Sequence, residues 1–93
     1  MWYSLLLSFY ILILVPYFVQ LGKELCTGTE IINTLEECKE ATRLLDLNFR
    51  ETKSTESYPK GCYRYKETKE VYWNTHSSGK QPSNGHPICK KGE

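Results

Sequence analysis

Four cysteines, Cys26, Cys38, Cys62 and Cys89, set the strongest limit on what this 93-residue chain can fold into. All of them follow a charge-free N-terminal run, M-W-Y-S-L-L-L-S-F-Y-I-L-I-L-V-P-Y-F-V-Q-L-G, which occupies residues 1–22. A continuous apolar stretch in that position is the mark of a secretory signal peptide. No basic residue precedes it, and Gln20-Leu21-Gly22 is a poor small-residue cleavage pattern. A run of ~20 apolar residues is also long enough to cross a bilayer as an uncleaved anchor. Pro16 breaks a helix just before the expected cut and favours cleavage, with the mature chain beginning near Lys23. In both readings the remainder is exported, and an even number of cysteines in an oxidising compartment implies two disulfides.

Residues 23–93 then form one domain. A chain of that size buries only ~60% of the surface it exposes when unfolded, so disulfides are a needed part of its stability. Twelve basic against eleven acidic residues, a net charge of +1, excludes a strongly basic nucleic-acid-binding surface. No Asn-x-Ser/Thr sequon occurs.

The stretch Pro59–Asn74 (P-K-G-C-Y-R-Y-K-E-T-K-E-V-Y-W-N) reads as a β-hairpin at the centre of this domain. Cys62–Lys66 and Glu70–Trp73 are rich in Tyr, Trp and Val, which suit a pleated, half-buried surface. A three-residue loop, Glu67-Thr68-Lys69, pairs Lys66 with Glu70, Tyr65 with Val71 and Tyr63 with Trp73, and requires Lys69 to be left-handed. In that register Tyr63, Tyr65, Val71 and Trp73 face the core. Arg64, Lys66, Glu70 and Tyr72 face outward, with Cys62 at the strand's start, where the backbone can turn. Trp73 is then core, and Tyr72 with Arg64 is an exposed aromatic–cation pair.

Thr34-Leu35-Glu36-Glu37 is the clearest helix start: Thr34 caps the free amides and Glu37 closes a capping box. Leu35, Cys38, Ala41, Thr42 and Leu45 share one face, with Glu36, Lys39, Glu40 and Arg43 away from it. Asp46-Leu47-Asn48 ends the helix, with Asn48 in the left-handed position. Ile31-Ile32 suggests a short strand before the helix, and Ile88–Lys90 another at the end. Phe49–Tyr58 and Thr75–Pro87 read as loops, and residues 91–93 as a frayed tail.

Catalytic chemistry is not evident. The sole aspartate, Asp46, sits at the helix end, away from the His76, Ser77, Ser78 and His86 that a hydrolytic triad would need beside it. A zinc site from His76, His86 and two cysteines would remove the disulfides this small domain requires. The expectation is therefore a non-enzymatic chain with no cofactor and no metal. Arg64 and Tyr72 of the hairpin, with His76 and Lys80 of the following loop, are the candidate partner-binding residues.

The segments L-E-E-C-K-E-A, P-K-G-C-Y, V-Y-W-N and P-I-C-K resemble a small cysteine-containing module that recurs in secreted proteins. Over about residues 25–90 their order is loosely similar to PAN/apple domains. That resemblance implies a helix tied by disulfide to a short antiparallel sheet and the binding of proteins or carbohydrates; it transfers no ligand residues. The fold expected is α+β, one helix packed on a short antiparallel sheet with a central aromatic hairpin. Of the three pairings open to four cysteines, the nested one, Cys38–Cys62 and Cys26–Cys89, pins helix to hairpin and joins the two terminal segments. The function expected is a secreted binding module for an extracellular protein or glycan, acting as a monomer. It would meet a membrane only through residues 1–22 if these stay uncleaved. The alternative is a diffusible effector such as a toxin or host-defence peptide, although near-neutral charge weakens a membrane-lytic version.

Overall fold

The computed structural model describes residues 15–21, 24–80 and 85–91. One helix packs on a five-stranded sheet, one disulfide joins helix to sheet and a second ties the N-terminal segment to the last strand: a small, stapled α+β domain. Helix α1 spans Leu35–Leu44. Thr34 caps it as the sequence implies, its hydroxyl accepting from the Glu37 amide at 3.1 Å. Glu37 does not close the box. Its carboxylate instead accepts from the Tyr17 hydroxyl at 3.2 Å and lies 3.5 Å from Lys90 Nζ, tying the helix to one edge of the sheet.

The buried face of α1 is the expected one, with Cys38, Ala41 and Thr42 inside and Glu36, Lys39, Glu40 and Arg43 exposed. At its C-terminus the left-handed residue is Asp46 (φ 58°) rather than Asn48. Leu47 N–H bonds Thr42 O at 2.9 Å and Asp46 N–H bonds Arg43 O at 3.1 Å. This is a Schellman closure, which satisfies two carbonyls of the last turn and turns Leu47 toward the core.

The sheet runs β1 (Tyr17–Val19), β5 (Gly85–Lys90), β3 (Gly61–Tyr65), β4 (Glu70–Asn74), β2 (Asn48–Lys53). It is mixed rather than wholly antiparallel, because β2 pairs parallel with β4. Strand β2 takes in Asn48, expected at the helix end, and residues 49–53 of the expected Phe49–Tyr58 loop. Only Phe49 of N-F-R-E-T-K faces the core, and the charges that hid the strand are those that keep an exposed sheet edge from pairing with another chain. Ile31 makes a single bridge to Cys89 and follows a 3₁₀ turn at Gly28–Glu30, so no strand forms there. The last strand begins at Gly85, inside the expected loop, and Lys91 N–H bonds Pro16 O at 2.8 Å.

Both disulfides form as expected, Cys26–Cys89 and Cys38–Cys62. The hairpin register differs by one residue. Cys62 pairs with Trp73, Tyr63 with Tyr72 and Arg64 with Val71. The loop therefore has four residues, Lys66–Lys69, closed by Lys69 N–H to Tyr65 O at 2.9 Å. A slip of one residue exchanges the faces of one strand relative to the other. Cys62, Val71 and Trp73 thus share the helix side, where Cys62 reaches Cys38 directly, while Tyr63 and Tyr72 share the opposite side. The reach of Cys62 to Cys38 outweighs the Lys66–Glu70 charge pair that favours the other register, while Val71, inward in both, is 0% exposed. Lys69 is left-handed (φ 62°), as that turn demands of it. Since a side chain there is strained, Lys69→Gly is expected to raise stability by about 0.5–1 kcal/mol, read as an increase in the urea midpoint.

Candidate functional site

Two surfaces are built from the hairpin, one at each face of the sheet. On the helix side the Gly61/Asn74 end of the hairpin opens into a groove of about 580 Å³. Ile32, Cys62, Trp73 and Ile88 form its apolar floor, Leu25 and Ile31 line its outer side, and Lys60, Asn33 and Thr75 supply polar atoms. Leu25 is 54% and Ile31 41% exposed; with Leu21 they are the exposed large hydrophobic residues among those described. Trp73 is half-buried rather than sealed in the core.

Local geometry holds the groove open. Gly61 has φ 86°, a conformation that L side chains rarely adopt, and carries the chain from the 58–60 turn into β3. At Gly79 a Cβ would lie 2.3 Å from Tyr58 O and 2.7 Å from Lys60 N, so the 75–80 loop reaches the Tyr58–Lys60 backbone only because that residue lacks a side chain. Asn74, 1% exposed, joins these segments. Its Nδ2 donates to Thr55 O, Tyr58 O and Pro59 O at 2.8, 3.1 and 2.9 Å. Its Oδ1 accepts from the amides of Thr55 and His76 at 3.0 and 3.1 Å. A buried carboxamide satisfied on both sides locks three chain segments into one frame. Asn74 was not singled out from the sequence, where an asparagine after a strand signals a turn and nothing more.

On the opposite face lies a row of tyrosines. Tyr63, 1% exposed, stacks between Tyr58 (ring centroids 5.3 Å) and Tyr72 (5.4 Å), and Tyr65 meets Tyr58 edge-on at 5.9 Å. Lys53 Nζ stands 4.5 Å from the Tyr72 ring centroid. Burial raises the hydroxyl pKa of Tyr63 far above its ordinary value, with charge on Tyr58, Tyr72 and Glu51 adding to the effect. Burial also raises that of Tyr72, while the Glu67 carboxylate is the main cause for Tyr65.

The four candidate residues are not brought together. Arg64 and Tyr72 lie on opposite faces of the sheet, so the expected exposed pair does not exist: Tyr72 takes its cation from Lys53, and Arg64 Nη2 donates to His86 Nδ1 at 3.2 Å. Arg64 Nε is buried and has no hydrogen-bond partner among the described residues. His76 is occupied in its own loop, its Nδ1 accepting from the Ser78 amide at 3.2 Å. Lys80 is exposed. Among the described residues no cluster of His, Cys, Asp and Glu is placed to hold a metal ion. None of their helices is long and apolar enough to cross a membrane, and residues 1–14 lie outside them. The two disulfides indicate an oxidising environment. No protein-family model, no curated protein and no solved structure matches this chain.

Proposed function

We propose that the chain is a secreted, non-enzymatic binding module that docks an extracellular protein through the Trp73 groove. The observation that carries this reading is the coincidence of that groove with two of the three exposed large apolar side chains among the described residues, Leu25 and Ile31. Contiguous exposed apolar surface bordered by polar groups is what protein-binding sites present. The groove also lies where the hairpin meets the first part of the 75–87 loop, the two segments expected to carry recognition, although Arg64, Tyr72, His76 and Lys80 do not line it, and the resemblance to PAN/apple domains points to the same class of activity. Protein is favoured over glycan because the groove is mostly aliphatic around its one aromatic ring, the half-buried Trp73, and because the ring faces of the tyrosine row are stacked on one another. Sugar binding draws on an open aromatic face ringed by polar side chains.

The folded, oxidised protein is to be screened against defined extracellular ectodomains and a glycan array, beside Leu25→Asp and Ile31→Asp. These exposed positions are expected to tolerate the change within about 0.5 kcal/mol of stability, while binding to any ectodomain falls at least tenfold. Capture of glycans alone, or of ectodomains equally by wild type and both variants, overturns the assignment. Leakage of lipid vesicles at micromolar protein would favour the diffusible effector instead.

A further inference from the structure

The outer edge of β5 is covered by the end of the same apolar run that is read as the export signal. Tyr17, Phe18 and Val19 pair antiparallel with Lys90, Cys89 and Ile88. Gln20 N–H to Pro87 O and Lys91 N–H to Pro16 O, both 2.8 Å, extend the pairing at either end. Tyr17 and Val19 share one face of the strand. Val15 is 6% exposed, Tyr17 and Val19 pack against the core, and the Tyr17 hydroxyl reaches Glu37. Cleavage after Gly22 would take this strand away.

What stays behind is fitted to lose it. Cys26 is bonded to Cys89 on β5 itself, so the chain that follows the cut remains fastened to that strand. Pro87 accepts from Gln20 through its carbonyl, so its nitrogen, which has no proton, faces the same outer rail. A strand permanently enclosed on both sides forfeits a ladder bond at proline, whereas an edge strand forfeits nothing. Loss of residues 15–20 would leave a backbone rail, the places of Tyr17 and Val19 against the core and the Glu37 carboxylate.

We propose that the outer edge of β5 is a strand-acceptor site, closed by Tyr17–Val19 in the precursor and filled after processing by an extended segment of an extracellular partner protein. The segment it fits runs antiparallel to β5 with the pattern Tyr–x–β-branched. Main-chain bonds to Pro87 O and Lys91 N–H give affinity, and the two seats with Glu37 give selectivity. A second copy is the poorer fit, because the alternating faces of its own β5 read Gly85-x-Pro87-x-Cys89 and His86-x-Ile88-x-Lys90 rather than that pattern. The proposal rests on export with cleavage after Gly22 and is independent of the Trp73 groove.

The test uses the full chain with a specific protease site inserted between Gly22 and Lys23, folded and oxidised before cutting. The probe is a fluorescent peptide of residues 15–21, V-P-Y-F-V-Q-L, followed by anisotropy. It is expected to bind the cut chain and not the uncut chain, to weaken at least about tenfold with Val19→Asp in the peptide, and to be unaffected by Leu25→Asp in the protein. That last arm separates failure here from failure of the groove. Equal binding to uncut chain overturns the proposal, as does a cut chain that stays folded and ignores the peptide, whether monomeric or self-associated. A cut chain that loses its near-UV circular dichroism and does not regain it with peptide overturns it too. So does a processed chain from secreting cells that begins before Val15, since its edge would remain covered.

Discussion

Reduction of both disulfides is expected to unfold this domain completely at neutral pH. Cys26–Cys89 joins residues 63 apart and Cys38–Cys62 residues 24 apart. Loop closure over those lengths restricts the unfolded chain by roughly 4 and 3 kcal/mol respectively. A domain of this size has a total stability of only about 4–10 kcal/mol, so the two bonds together account for most of it. The core has little with which to compensate. Among the described residues its buried cluster is small, Ile32, Cys38, Ala41, Cys62, Val71 and Ile88, and two of these are the bonded cysteines. Removing either bond by paired substitution, Cys38→Ala with Cys62→Ala or Cys26→Ala with Cys89→Ala, is expected to lower stability by about 3–4 kcal/mol. Urea unfolding followed by tryptophan fluorescence measures each variant, and near-UV circular dichroism in dithiothreitol reads the reduced wild type. Retention of a native near-UV spectrum with all four thiols reduced would show that packing alone holds the fold.

What the sequence discloses about this fold follows from where its signals are local. The Thr34 cap and the inward face of α1 need only local spacing, the nested pairing is selected from three by what pins helix to hairpin and joins the terminal segments, and each is found as expected. The hairpin is in place, but its register is decided by a tertiary constraint, the reach from Cys62 to Cys38, which outweighs the cross-strand charge pair that local reasoning weighs. That one-residue shift turned Tyr72 from an exposed partner of Arg64 into a member of the tyrosine row. Strand β2 is hidden because an edge strand buries few side chains and its composition is set by solvent. Asn74 illustrates a harder limit: its five hydrogen bonds join segments 15 to 19 residues away and two residues on, and no local pattern encodes them. The groove is equally non-local, since Leu25, Trp73 and Ile88 meet only through the sheet.

Stability is expected to fall steeply above pH ~10, with Tyr63 the main cause. Its ring is 1% exposed between those of Tyr58 and Tyr72, and burial holds its hydroxyl protonated well past the point where an unfolded chain would ionise. Tyr72 and Tyr17 are raised by burial in the same sense. For a group whose folded pKa lies above its unfolded value, the contribution is fully present below the unfolded pKa. It is lost as pH rises from there toward the folded value, because the unfolded chain gives up the proton first. Absorbance at 295 nm and near-UV circular dichroism, followed together from pH 8 to 13, should therefore show tyrosine ionisation delayed until tertiary structure is lost. Tyr63→Phe keeps the ring stack and removes the proton, so its alkaline midpoint is expected to move upward. Tyr63→Ala removes the stack, opens the tyrosine face at every pH, and is expected to destabilise by about 3–5 kcal/mol. If Tyr63→Phe leaves the alkaline midpoint where it was, ionisation elsewhere drives the transition and the row is held together by packing alone.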